Sequence, residues 1–410
     1  MERLIAHKVA ALSESATETV DNLYKGMKQS GIKDMISLGA GEPSFDTPCN
    51  IKQAACAALR EGKTKYEPTA GDYRLREAIC TKLREENGID AGIEDVIVTV
   101  GAKFAVFLAF QTLLSPGDRV LLLDPAWVTY EPAAQLSGAT VVRIASCVTT
   151  GFQPELTKIR GAMESSIKLV VLNSPCNPTG AVFTVGTIRS ICEMAEEYGA
   201  LVLSDEIYEH LIYEGKHYSP ASEFDNVITV NGFSKSHAMT GWRLGYITAA
   251  PEVVQGMLKI TQHSTSCVTS FAQAGAIEAL VSETSREAAK AMLDEYSDRR
   301  RLMIKLIEES DYLDLGAVPT GAFYCFPSYS CAKPSALLAQ ELLQAVHVAT
   351  VPGAAFGDCG EGHLRLSYTA AEEEIVDAMR RMEHYLSGEG LRMADESTST
   401  GFSRTRTAGK

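Results

Sequence analysis

The chain has 410 residues, with 52 acidic and 38 basic side chains, a net charge of −14 and 45% hydrophobic content. That length allows roughly two or three domain-sized units around a large core. The acidic balance argues against non-specific binding to nucleic acid or to anionic membrane, without excluding a small cationic pocket. No run of about 18 apolar residues occurs, so no membrane span is expected. The first residues mix Glu2, Arg3, His7, Lys8, Glu14 and Glu18 and lack the apolar core of a signal peptide, so a cytoplasmic location is expected. The ten cysteines are scattered from Cys49 to Cys359 without a C-x-x-C pair, which points to neither a disulfide framework nor a zinc site.

In chain order, Tyr73–Glu85 has helical periodicity and Val96–Val100 reads as a strand. A helix over Lys103–Leu113 follows, then strands at Val120–Leu123, Thr140–Ile144 and Leu169–Leu172. Val185–Tyr198 is helical; Leu201–Leu203, Val227–Val230 and Leu244–Thr248 are strands. Such alternation predicts an α/β fold with a mostly parallel sheet covered on both faces. After about residue 280 the pattern changes. A charged helix from Arg286 to Glu309 precedes short strands around Ala322–Phe326 and Leu364–Ser367, with helices at Ser335–Ala345 and Ala371–Leu386. This reads as a smaller α+β domain. The expected division is a large domain over 46–285, a small domain over 1–45 and 286–388, and a disordered tail over 389–410, where Ser, Thr, Gly and charges dominate.

Open α/β sheets bind ligands at the carboxyl ends of their strands, and here the chemically unusual residues recur there. Val96–Val100 leads to Gly101, Ala102 and Lys103; Val120–Leu123 to Trp127; Leu169–Leu172 to Asn177; Leu201–Leu203 to Asp205 and Tyr208; Val227–Val230 to Ser234, Lys235 and Arg243. Each type suits one task. Lys235 is an amine for a Schiff base with an aldehyde. Ser234, Arg243 and the helix opening at Gly101 suit a phosphate. Trp127 can lie against an aromatic ring. Asp205 can keep a pyridine nitrogen protonated, and Asn177 and Tyr208 can hydrogen-bond a phenolic oxygen. Together these are the requirements of pyridoxal 5′-phosphate. Taken singly, each has a plainer reading: Asp205 as a helix N-cap, Trp127 and Tyr208 as core, Arg243 and Arg365 as surface arginines.

From about Ala11 to Leu386 the sequence resembles the class I aminotransferases of fold type I, and closely the prokaryotic-type aspartate aminotransferase subgroup. The resemblance rests on Gly39–Pro43, Tyr66–Gly71, Asn173–Gly180, Asp205–Tyr208, Ser234–Tyr246 and Arg365–Tyr368. It implies that Lys235 bonds the cofactor, that Asp205 pairs with its ring nitrogen, that Tyr208 and Asn177 hold the ring hydroxyl and that Trp127 stacks on the ring. It implies that Gly101, Ala102, Ser234 and Arg243 hold the phosphate. Tyr66 would reach the phosphate of a neighbouring subunit, which implies a homodimer. Arg365 would grip the substrate α-carboxylate, helped by Asn177 and the backbone at Gly41. Lys103, with Ser15 and Thr17, would bind a distal carboxylate, which favours aspartate with 2-oxoglutarate. The same features occur in relatives that act on prephenate. Two rival functions are a pyridoxal-phosphate lyase, against which the Lys103, Ser15 and Thr17 set argues, and a non-catalytic cofactor-binding sensor. The acidic balance and the lack of a basic helix-turn-helix segment before residue 45 argue against the sensor.

Overall fold

The computed structural model describes residues 4–388, so the tail expected to be disordered, 389–410, lies outside the described residues. A seven-stranded sheet is its centre. The strands are β1 (Val96–Thr99), β2 (Arg119–Asp124), β3 (Thr140–Ala145), β4 (Ile167–Asn173), β5 (Leu201–Asp205), β6 (Val227–Gly232) and β7 (Gly245–Thr248). Their spatial order is β1-β7-β6-β5-β4-β2-β3. All pairings are parallel except those of β7, which runs antiparallel to both neighbours. Each strand expected from its β-branched run is present, within a few residues.

Alternate side chains feed two cores, as the two-residue period of a strand requires. Ile97, Leu122, Val171, Leu203, Val230 and Ile247 meet the helices Gly101–Leu113, Tyr130–Ser137 and Pro251–Gln262 on one face. On the other face Leu121, Val170, Leu172 and Val202 meet Val185–Glu197. Val96, Val98 and Tyr246 continue that face under the helices Cys49–Arg60, Tyr73–Lys82 and Ser270–Val281. Leu121 is fully buried, so Leu121→Ala would cost about 2–5 kcal/mol through lost burial and the cavity left behind.

The other part of the chain packs the helices Glu283–Glu308, Ser335–Val346 and Glu372–Leu386 around short strands. Leu364–Ser367 lies between Tyr324–Cys325 and Val351–Pro352, antiparallel to both, while Ile36–Ser37 pairs in parallel with Val348–Ala349. Met303, Ile307, Leu338, Leu342, Ile375 and Met382 form this core, which also takes in Tyr208 and Leu211 from beyond β5.

Two expected elements differ in extent. The helix expected over Tyr73–Glu85 ends at Lys82 and passes into a π-helical turn, Leu83–Asn87, closed by left-handed Gly88. The wider turn brings Lys82 and Asn87, five residues apart, onto the same buried carboxylate, Glu209. The strand expected over Ala322–Phe326 shortens to Tyr324–Cys325, because Ala322 has a positive φ of 55° that interrupts the extended run.

Candidate active site

A cavity of about 620 Å³ opens over the carboxyl ends of β4, β5 and β6. Asn173 and Asp205 are the last residues of β4 and β5; Asn177, Tyr208, Ser234 and Lys235 come from the loops just beyond. Trp127 and Tyr130 follow β2, and Ala102 and Lys103 open the helix after β1. The opposite wall carries Arg365, Tyr324, Gly39–Glu42 and the polar face of an N-terminal helix.

Asp205 is 3% exposed, and Tyr130 Oη donates to its Oδ2 at 2.8 Å. Burial pushes its carboxyl up to about 6, with Tyr130 and the Ile207 N–H opposing the rise. Lys235 Nζ donates to the Gly41 carbonyl and stands 5.9 Å from the centre of the Phe323 ring. Burial, then the nearby positive charges of Arg365 and Arg243, push its amine down to about 8. A lysine so placed is neutral at a pH where surface lysines are charged. Tyr208 shares a 2.8 Å hydrogen bond with Tyr324, and burial holds its phenol well above the usual range.

Arg365 is 2% exposed. Its Nη1 donates to Asn177 Oδ1 at 2.9 Å and its Nη2 to the Gly39 carbonyl at 2.7 Å. The guanidinium lies 4.4 Å from the Tyr324 ring centre, an orientation aided by cation–π attraction. Its Nε is buried without a partner. A buried guanidinium held in place by Asn177 and Gly39, lining a cavity, suits a carboxylate. Gly41, expected beside the carboxylate, lines the cavity next to Gly39. Gly41 keeps this wall thin, since a Cβ there would meet Tyr324 Oη at 3.1 Å.

The helix Gly101–Leu113 has no side-chain cap at its N-terminus, so its first N–H groups are left for an anion. Gly101 has φ +76°, and a Cβ on it would lie 2.5 Å from Arg243 Nη2. A Cβ on Gly245 would lie 2.6 Å from the Ala102 nitrogen. Buried Ser234, the exposed guanidinium of Arg243 and this side-chain-free helix end make a cradle that fits a phosphate.

Helix Ala16–Gln29 supplies the outer wall. Val20, Tyr24 and Met27 pack on Met35, Leu343 and Ala349. That stripe turns Thr17, Glu18, Asp21 and Lys25 toward the cavity. Lys103 Nζ donates to Glu18 Oε1 at 2.5 Å and stands 5.7 Å from the centre of the Trp127 ring. Ser15 bonds Thr17 at 3.1 Å but does not line the cavity. Tyr66 is 90% exposed and also lies outside the cavity of its own chain. Trp127 meets Tyr130 edge-on at 5.4 Å. Three lining residues, Tyr130, Tyr324 and Glu18, are not evident from the sequence pattern. Tyr130 and Glu18 each sit within one helical turn of a candidate residue, Trp127 and Thr17 respectively; Tyr324 has no such signal.

Residues 33–382 match the family model described as aminotransferase class I and II. The chain belongs to this family. It is 41% identical to the aspartate/prephenate aminotransferase of Thermus thermophilus over 94% of its own length and 99% of the relative's. It is 39% identical to aromatic-amino-acid aminotransferase 2 of Thermococcus litoralis, over 88% and 94% of the two chains. Among solved structures, the aspartate aminotransferase of Thermus thermophilus with maleate superposes with a TM-score of 0.89 at 40% identity, covering 93% of this chain and 99% of that one. The aminotransferase is thus a fold type I enzyme that uses pyridoxal 5′-phosphate and takes amino acids and 2-oxo acids as substrates. No helix among the described residues is long and apolar enough to cross a membrane.

Proposed function

We propose that the enzyme transfers the amino group of L-aspartate to 2-oxoglutarate, giving oxaloacetate and L-glutamate by a ping-pong sequence. The observation that carries this reading is a cavity with two cationic ends: Arg365 at the inner wall and Lys103 at the outer one. A substrate with two carboxylates, one at each end of a short chain, would find a cation for each. The resemblance to a Thermus enzyme solved with maleate, itself a dicarboxylate, supports it.

Bound pyridoxal phosphate supplies an aldehyde carbon that bonds amines and a conjugated ring that takes up the electron pair left when the substrate Cα proton departs. The residues do the rest. Lys235 is the amine that would hold the aldehyde. Once freed, its Nζ would stand beside the substrate Cα as the base that takes up the Cα proton, help worth roughly 10²–10⁴ in rate. The depressed amine near 8 supports this role, because the base must be neutral to act. Asp205 holds the ring nitrogen in its protonated form. The carboxylate is costly to bury alone, so a cationic ring offsets a penalty the fold has already incurred. Tyr208 and Asn177 would hold the ring hydroxyl, and Trp127 would pack on the ring. Gly101, Ala102, Ser234 and Arg243 hold the phosphate. Arg365 fixes the α-carboxylate, and Lys103 with Thr17 holds the distal one. Ser15 supports Thr17 through their hydrogen bond.

The exposure of Tyr66 supports a homodimer in which this side chain completes the partner's phosphate site. We assign 46–285 to the cofactor-binding domain and 1–45 with 286–388 to the small domain. Prephenate is the second reading, favoured by the Thermus relative named for both substrates. It would use the same cation and hydroxyl.

The test is the absorbance spectrum of the purified holoenzyme, followed by L-aspartate alone, with L-alanine as control. Loss of the cofactor band at far lower concentrations of aspartate than of alanine is expected. Equal loss with both would remove the acidic specificity. Absence of any cofactor band after loading would overturn the role of Lys235.

A further inference from the structure

We propose that Glu18 is a resident carboxylate that competes with the substrate's distal carboxylate for Lys103, so that one cavity accepts both dicarboxylic and uncharged side chains. This inference rests on the reading of Lys103 as the distal-carboxylate site. Lys103 lies in the first turn of the helix Gly101–Leu113, where the helix dipole disfavours a cation unless an anion compensates. The anion is Glu18, 2.5 Å away. It comes from a different helix, whose apolar stripe of Val20, Tyr24 and Met27 fixes which side faces the cavity. The neighbouring charges on that face, Asp21 and Lys25, are paired with each other at 2.6 Å. Lys103 therefore has Glu18 as its internal counter-charge, and the substrate must exchange with it.

The strength of the pair suits exchange. The Lys103 and Glu18 side chains are 45% and 62% exposed, and an ion pair this open holds its partner by at most about five-fold in an equilibrium constant. A carboxylate anchored at its other end by Arg365 can displace Glu18 at that cost. A substrate with an apolar or aromatic side chain leaves the pair closed. Lys103 then stays neutralised against Glu18, with its ammonium near the Trp127 face, and the apolar group meets no bare cation. The device would make discrimination against uncharged side chains weaker than Lys103 alone would enforce.

The test uses the holoenzyme and Glu18→Gln, an exposed, near-isosteric change. Two quantities are read: the dissociation constant of maleate by spectral titration, and kcat/KM for L-aspartate and L-phenylalanine in the half-reaction. Expected for Glu18→Gln is maleate binding tighter by about two- to five-fold and a rise of similar size or greater in the aspartate-to-phenylalanine ratio. Maleate affinity and ratio both unchanged would overturn the proposal. So would a wild-type enzyme that fails to react with L-phenylalanine. Lys103→Met separates this from the parent reading. If that variant loses aspartate preference while Glu18→Gln changes nothing, only the competition fails. If Lys103→Met keeps the preference, the distal-carboxylate role of Lys103 fails and the competition fails with it.

Discussion

Behind the cavity, Lys82 and Glu209 form an ion pair in which the two residues are 6% and 8% exposed. Lys82 Nζ also donates to Asn87 Oδ1 at 2.7 Å, and Glu209 accepts from Asn87 at 2.7 Å and from Asn231 at 2.6 Å. Burial raises the Glu209 carboxyl, but Lys82, His210 and His217 outweigh it and hold the group well below the usual carboxylate range. The linkage sign follows. A depressed carboxyl contributes stability that is present above its unfolded value of about 4.3 and is lost as pH falls toward the folded one. At neutral pH, Lys82→Met removes the main counter-charge and leaves Glu209 buried with the Asn87 and Asn231 amides and the more distant imidazoles of His210 and His217. The expected loss is about 3–5 kcal/mol, a large share of a total stability of about 5–15 kcal/mol. Adding Glu209→Gln removes the stranded charge, so the double variant should recover part of that loss, with a coupling energy of about 2 kcal/mol. Urea unfolding of the four proteins of the cycle measures this. A Lys82→Met loss below about 1 kcal/mol, or strictly additive effects, would refute the reasoning. The consequence reaches the cavity: Glu209 follows Tyr208 in sequence, and Asn231 lies four residues before Lys235, so the same variant should release pyridoxal phosphate more readily.

Three further outcomes follow from the geometry. In cofactor-free protein the rate of pyridoxal phosphate capture should rise with pH to a plateau with its midpoint near 8, the value to which burial brings Lys235; stopped-flow absorbance reads it, and a midpoint above about 10, the range of an unperturbed lysine, contradicts the placement. Arg365→Lys keeps the charge but loses the planar fork that spans Asn177 and Gly39, so KM for aspartate should rise by about ten-fold or more while cofactor content stays unchanged; an unchanged KM argues against carboxylate binding there. Gly245→Ala would press its Cβ on the Ala102 nitrogen and weaken cofactor affinity through overpacking of about 1–3 kcal/mol; equilibrium titration with pyridoxal phosphate checks it, and an unaltered dissociation constant would show the cradle is not that tight.

The sheet was legible because buried parallel strands are short β-branched runs, and Val120–Leu123 or Leu169–Leu172 can hardly be anything else. The inner site was legible for the same reason: a strand that ends in Asp205 or leads to Lys235 must deliver it to the carboxyl edge. What escaped was whatever depends on meetings between distant parts of the chain. Tyr324 reaches Tyr208 across 116 positions of sequence, and nothing local to Phe323-Tyr324-Cys325 announces it. The helix Ala16–Gln29 is mostly polar, and its three-residue apolar stripe is too thin to stand out from a solvated segment. The π turn after Lys82 is likewise invisible until Glu209 is known to lie opposite it.

One cause accounts for the two most telling groups in the cavity. Burial disfavours charge of either sign, so it lifts Asp205 to about 6 and lowers Lys235 to about 8. Their mutual attraction opposes both shifts without cancelling them. A fold selected for stability alone has a simpler course, since replacing a buried charge by a well-packed apolar group is often neutral or favourable. Here neither Asp205 nor the cavity arginine, Arg365, is fully compensated by the chain. Asp205 has a phenol and one backbone N–H where a cation is wanted, and Arg365 retains a buried Nε with no acceptor. The Lys82–Glu209 pair, equally buried, shows that this chain can satisfy ions completely where it gains from doing so. The contrast separates structural charges from working ones: the incomplete set faces the cavity, and what would complete it is a cationic ring and a carboxylate, each supplied by a ligand rather than by the protein.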